Sequence, residues 1–321
     1  MGSESASLSR AVARDQRVGE SASLSGERVL VTGATGFIGT PLTGSLVAAG
    51  AEVAAVVLPG EVALLPPGAR AYAADVTDVD ALRRIVSDAQ PQVVFHLAAV
   101  GLTNPHLPAA DALRVNTGSV IALLEALHEA GCARRIILLG SSYEYGARRA
   151  DDSCDPFNAY AASKVAAWAF ARAAYNTWNA PAVWARPFQV YGPGQPEAAF
   201  IPAALRAARH GDDFPMTGGE QQRDFIFVDD IVTGLLALAQ ADGIEGRAFD
   251  LGTGQLHTLR EVAERIWQLS GARGRLRVGA LPYRPGEVTA IPADPERARR
   301  LTGWQAQVTL DAGLRRLVFG D

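Results

Sequence analysis

Lysine is nearly missing from this chain. It has 321 residues and 30 basic side chains, and all of these but Lys164 are arginine. A GC-rich coding bias puts arginine wherever either cation serves, so the one retained lysine marks a place that needs a compact charge on a flexible stem. A basic surplus is missing too: the net charge of -4 and a pI near 5.8 remove the electrostatic footprint of a nucleic-acid binder. Cysteine is scarce. Cys132 and Cys154 are too few for a disulfide framework and do not fall at metal-ligand spacing, so reduced thiols and no metal site are expected. No run approaches the roughly 18 consecutive apolar residues of a membrane span. The start of the chain lacks the apolar core of a secretory signal, which makes a cytoplasmic protein without a membrane partner the expectation. Apolar residues make up 48% of the chain, enough for one large or two modest domains.

Residues 1–26 are rich in Ser, Ala, Gly and charge, and repeat "ESASLS" at 4–9 and 20–25. Too few large apolar groups are present to offset the entropy of ordering, so this stretch is expected to be a disordered leader. From Arg28 short β-branched runs ("RVLVTG", "AEVAAVVL", "PQVVFHLAA", "RRIILLGSS", "APAVWARPF") alternate with segments of helical period. That pattern predicts an α/β fold, a doubly wound parallel sheet of Rossmann type over 27–187. After Arg186 come Pro- and Gly-rich turns around two helices near 199–210 and 258–270, which predicts a smaller, loop-rich α/β substrate lobe over 188–321 with some return to the sheet.

"VLVTGATGFIGT" places Gly33, Gly36 and Gly39 directly after the first strand and at the start of a helix. Glycines there let the backbone turn tightly and approach a pyrophosphate held at the positive end of that helix. The second strand is expected to end near Val57–Leu58, where an acid would bind the adenosine ribose and an arginine would suit a 2′-phosphate. Neither is present, so NAD and NADP both stay open. Asp75, in "AADVTD", has two readings of equal standing, a partner for the adenine amino group or a helix cap shared with Thr77 and Asp78.

Tyr160 and Lys164 lie four apart in "AYAASKVAAWAFARAAY", an alanine-rich helical segment, so their side chains share a face. An ammonium near a phenol lowers its pKa from about 10, and the same ammonium can bond a ribose.

Together these residues resemble the extended short-chain dehydrogenase/reductases, the NAD-dependent epimerase/dehydratase family that works on nucleotide sugars. The matching text is "VTGATGFIG", "FHLAA", "RVNTGSV", "GSSYEYG", "YAASK", "RPFQVYGPG", "QRDFIFVDDI", "FDLGTG" and "YRPGEV", in that order from Arg28 onward. The resemblance implies a catalytic set of Ser141, Tyr160 and Lys164, with Asn116 steadying the lysine through water. It implies cofactor contacts from Thr35, Phe37, Ile38, Asp75, Val76, Leu97, Ala98, Ala99 and Pro187 beside the three glycines, Tyr160 and Lys164. It further implies a nucleoside diphosphate sugar held by Ser142, Tyr143, Gln189, Arg223 and Arg284, the two arginines gripping the diphosphate. Gln189 departs from the family's usual asparagine. Relatives pair through sheet-flanking helices, so a homodimer through the apolar Tyr160 helix is expected.

Family dehydratases carry a glutamate at the position held here by Tyr143, so dehydration is disfavoured. "GSSYEYG" is similar to the 4-keto-6-deoxyhexose reductases typified by GDP-4-keto-6-deoxy-mannose reductase. Glu144, one residue on, would face away in a strand and reads as a solvated turn residue paired with Arg148 or Arg149. The leading expectation is reduction of a C4 ketone on a nucleotide-linked 6-deoxyhexose with NAD(P)H. The alternative is a C4 epimerase with bound NAD, and a non-catalytic nucleotide-binding module is the reading from another class.

Overall fold

Val29, Leu30 and Val31 are three apolar residues in succession and all are buried. Such a run is stable only in a strand covered on both faces, the signature of a parallel sheet. In the computed structural model, which describes residues 24–102, 104, 106–146, 154–283 and 290–320, that strand is β1 (Arg28–Thr32). It is followed by α1 (Gly39–Ala48), β2 (Glu52–Val57), β3 (Arg70–Ala73), α2 (Val79–Ala89) and β4 (Val93–His96). Then come α3 (Ser119–Ala130), β5 (Arg135–Leu139), α4 (Ala159–Trp178) and β6 (Ala182–Pro187).

The sheet has seven parallel strands, in the order of a strand at Ala248–Leu251, then β6, β5, β4, β1, β2 and β3. One face is covered by α1 and Val228–Gln240, the other by α2, α3 and α4, so each face has its own apolar core. Residues 1–23 of the expected leader lie outside the described residues. The boundary drawn at 26 needs correcting, since Leu24 is 2% exposed in the core and Gly26 N–H bonds Gly50 O at 2.8 Å.

Beyond β6 the chain forms β7 (Gln189–Tyr191), α5 (Phe200–His210), β8 (Phe214–Met216), β9 (Gln222–Arg223), β10 (Phe225–Phe227), α6 (Val228–Gln240) and β11 (Ala248–Leu251). β11 is the strand that completes the large sheet. Short strands cannot hold such a lobe alone, and buried carboxylates take over. Asp224 accepts from Thr253 N–H at 2.8 Å, Gly254 N–H at 2.7 Å and Ala293 N–H at 3.2 Å. Asp230 accepts from Gln307 and Val308 N–H at 3.0 and 2.9 Å. No helix among the described residues is long and apolar enough to cross a membrane.

Candidate active site

In a doubly wound sheet ligands lie at the carboxyl ends of the strands, and the chemistry-bearing residues collect there. At the end of β1 the chain must turn within Gly33, whose φ of +67° suits glycine. A Cβ on Gly33 would lie 2.9 Å from Ala98 N, and one on Gly39 would run into the Gly33 carbonyl oxygen. Gly39 opens α1, whose first N–H groups have no intrahelical partner and carry the positive end of the helix dipole. This cradle fits a pyrophosphate. Thr35, inside the loop, donates to Glu61 Oε2 at 2.5 Å.

The strand ends beside the loop are tied by His96, buried between Thr32 Oγ1 at 2.8 Å and Ser119 Oγ at 2.9 Å. Burial, aided by the Lys164 charge, pushes its pKa down to about 3, so the ring is a neutral strut. The tie supports Leu97, Ala98 and Ala99, with Ala98 N–H donating to Thr32 Oγ1 at 3.3 Å. Asp75 is exposed and accepts from Thr77 N–H and Oγ1, both at 2.8 Å, which lowers its pKa. The cap of α2 is Asp78 instead, accepting from Ala81 N–H at 2.9 Å. Val76 is buried next to Asp75, and Pro187 ends β6 opposite Leu251.

Ser141, Tyr160 and Lys164 meet at the end of β5. They are 4%, 7% and 3% exposed. Asn158 starts α4 by accepting from Ala161 N–H at 2.8 Å, and this cap sets Tyr160 and Lys164 on the sheet-facing side. Lys164 Nζ donates to Leu139 O at 2.8 Å and lies 5.9 Å from the centre of the Tyr160 ring. Burial lowers its pKa to about 8. The expectation of a lowered phenol pKa is not met: burial raises Tyr160 well above its ordinary value, opposed by a hydrogen bond with Ser141. One N–H of the ammonium goes to that carbonyl rather than to the phenol, and two remain.

Asn116 sits in a π-helical turn at Leu113–Gly118, a distortion common at functional sites. Its amide bonds Val100 N–H at 2.8 Å, Val100 O at 3.0 Å and Ser163 Oγ at 2.9 Å, so it fastens the neighbour of Lys164.

Glu144 requires the largest correction. Residues Ser142–Tyr145 form a turn of 3-10 helix, capped by Ser141 and Glu144 reciprocally, rather than a strand. The turn drives Glu144 inward to 0% exposure. Its carboxylate accepts from Ser141 N–H at 2.8 Å, Trp184 Nε1 at 3.0 Å and Arg186 Nε at 2.7 Å. Burial pushes its pKa up, but these three N–H donors, one of them the Arg186 guanidinium, hold it as the anionic partner of Arg186. The chain of bonds continues from Arg186 to Tyr145 OH at 3.1 Å, on to Asp250 Oδ1 at 2.7 Å, and from Asp250 Oδ2 to Asp294 N–H at 3.0 Å. Arg148 and Arg149 lie outside the described residues. Trp184, Arg186 and Asp250 were not foreseen, although an arginine inside the apolar run "APAVWARPF" was a signal of a buried acid, since such a charge is almost never buried unpaired.

Tyr143 packs its ring 5.2 Å from Phe157 and, edge-on, 6.3 Å from Tyr160. Ser142 is buried beside it. Gln189 opens β7, with its N–H on Asp224 O at 2.9 Å. Arg223 lies on β9 in the second-lobe sheet, with one guanidinium nitrogen on Gln222 O at 2.8 Å. Arg284 falls outside the described residues. Among the described residues no group of three or more His, Cys, Asp or Glu could hold a metal.

The seven-stranded Rossmann-like sheet with this glycine loop defines a dinucleotide-dependent enzyme class. The NAD dependent epimerase/dehydratase family matches residues 29–252, and the chain belongs to that family. It is 31% identical to a UDP-glucose 4-epimerase of Mycolicibacterium smegmatis, over 91% of this chain and 97% of that one. A UDP-glucose 4-epimerase of Thermotoga maritima, solved with UDP-glucose, superposes with a TM-score of 0.85 at 26% identity, covering 91% and 97% of the two chains. MoeE5, solved with UDP-glucose and NAD, is 32% identical with a TM-score of 0.81 and the same coverage. The narrower likeness to GDP-4-keto-6-deoxy-mannose reductase rests on motif text alone.

Proposed function

We propose that the protein is a C4 epimerase acting on a nucleoside diphosphate hexose. The observation that carries this is the buried grouping of Ser141, Tyr160 and Lys164 in a chain alike over nearly its whole length to a named 4-epimerase. NAD, held by the Gly33–Gly39 cradle with Asp75, Val76, Leu97, Ala98, Ala99 and Pro187 alongside, supplies the hydride acceptor and donor. The chain's own residues move the proton. Tyr160 takes the C4 hydroxyl proton and gives it back after the keto sugar has turned over. Ser141 bonds the C4 oxygen, and Lys164 places positive charge where the alkoxide develops. Arg223 and Arg284 grip the diphosphate, with Ser142 and Gln189 on the sugar. Tyr143 presents a ring, not a carboxylate, at the position where dehydratases hold their glutamate. With Phe157 it makes an apolar wall at that position. Half-exposed Phe170 and the alanines around it on α4 support pairing of two copies through that helix.

A second reading, net reduction of a 4-keto-6-deoxy sugar, is favoured by the wall of Tyr143 and Phe157, which suits the C6 methyl group of such a sugar. Cofactor balance separates the two. The full chain is incubated with UDP-hexoses and with nucleotide 4-keto-6-deoxy sugars while reduced cofactor is followed by absorbance and products by NMR. Interconversion of hexoses without net cofactor change is expected. Stoichiometric loss of reduced cofactor with keto sugars alone would replace epimerisation by reduction.

A further inference from the structure

We propose that Glu61 selects NAD against its 2′-phosphorylated form, doing from a 3-10 turn what the end of β2 leaves undone. Strand β2 stops at Val57, and Leu58, Pro59 and Gly60 bring no charge to the site where an adenosine ribose is read. The chain then turns at once. Pro59 presets φ at the first position of a 3-10 helix over Pro59–Leu64, and this turn brings Glu61 back over the strand end. There its carboxylate meets Thr35, which lies between Gly33 and Gly36 of the phosphate cradle.

The location follows from two bonds. Gly33 N–H donates to Val56 O at 3.2 Å, so the cradle rests on the end of β2. Thr35 Oγ1 donates to Glu61 Oε2 at 2.5 Å, so the carboxylate stands between that strand end and the pyrophosphate loop. A dinucleotide running from the loop to Asp75 passes its ribose through this gap. A carboxylate accepts at both oxygens. Thr35 occupies Oε2, and Oε1 is the acceptor a ribose hydroxyl would use.

Charge decides the selection. A 2′-phosphate would set a charge of about -2 against the carboxylate, as phosphate monoesters carry near neutral pH. The arginines of adjoining elements are committed: Arg70 to Asp88 at 2.7 Å, and Arg114 to Thr77 at 3.2 Å and Asp111 at 3.4 Å. Repulsion of the wrong ligand, more than attraction of the right one, makes the discrimination.

The test measures binding, not turnover. The full chain, freed of dinucleotide, is titrated calorimetrically with NAD and with NADP, and the ratio of the two Kd values is read for wild type, Glu61→Gln and Thr35→Val. Wild type is expected to favour NAD by about a hundredfold, and Glu61→Gln to shrink the ratio at least about tenfold, chiefly by tighter NADP binding. Thr35→Val, which removes the bond that positions the carboxylate but keeps its charge, is expected to shrink the ratio less than Glu61→Gln does. A wild type that binds NADP as tightly as NAD overturns the proposal. So does a Glu61→Gln protein in which both dinucleotides weaken together and the ratio stands, because Glu61 would then only brace the loop.

Discussion

The two flanks of the large sheet are built differently. On the β5–β6 flank the polar groups are sealed: Ser141, Glu144, Arg186 and Asp250 are 5% exposed or less, and each is bonded to the next element. On the β2–β3 flank they are open. Three of the four residues of β3 are exposed, and Asp75, Asp78 and Arg70 all face water. The difference matches the task proposed for each flank. A proton transfer gains from fixed dipoles in a dry setting, where charge interactions are strong and need no reorganisation. Recognition of an adenosine needs only a few placed groups, and solvent there does little harm.

Breaking the comparison starts with its largest effect. Tyr160→Phe is expected to lose about 10²–10⁴-fold in kcat, the range for a placed acid or base, with NAD binding retained by calorimetry. Next is the sealed flank itself: Glu144→Leu leaves Arg186 buried without its ion-pair partner, and chemical denaturation is expected to show about 3–5 kcal/mol of lost stability. The double variant Glu144→Leu with Arg186→Met is expected to recover much of that loss, since the cost lies in the orphaned charge. On the open flank, Asp78→Ala removes the cap of α2 and is expected to cost about 1 kcal/mol with kcat unchanged. Equal losses on the two flanks would dissolve the distinction.

What the sequence shows and what it hides divide along a similar line. The glycine cradle was legible because a positive φ and a close approach at Gly33 and Gly39 are demands of the local backbone. Tyr160 and Lys164 were legible because helical spacing puts them together. Glu144 was misread because its partner Arg186 is 42 residues away on the neighbouring strand, and because a turn, not a strand, aims it. Glu61 went unnoticed for a similar reason: only the turn after Pro59 carries it to Thr35, 26 residues upstream. The direction of the Tyr160 shift was misjudged because spacing tells that Lys164 is near, not that its ammonium is bonded to Leu139 O.

The most direct test of the central claim is the cofactor balance of the purified full chain supplied in turn with UDP-hexoses and, with reduced cofactor, with nucleotide 4-keto-6-deoxy sugars. The account predicts that the C4 epimer accumulates to equilibrium while the absorbance of reduced cofactor stays flat. No epimer from any hexose, together with one reduced cofactor consumed for each keto sugar converted, would contradict it.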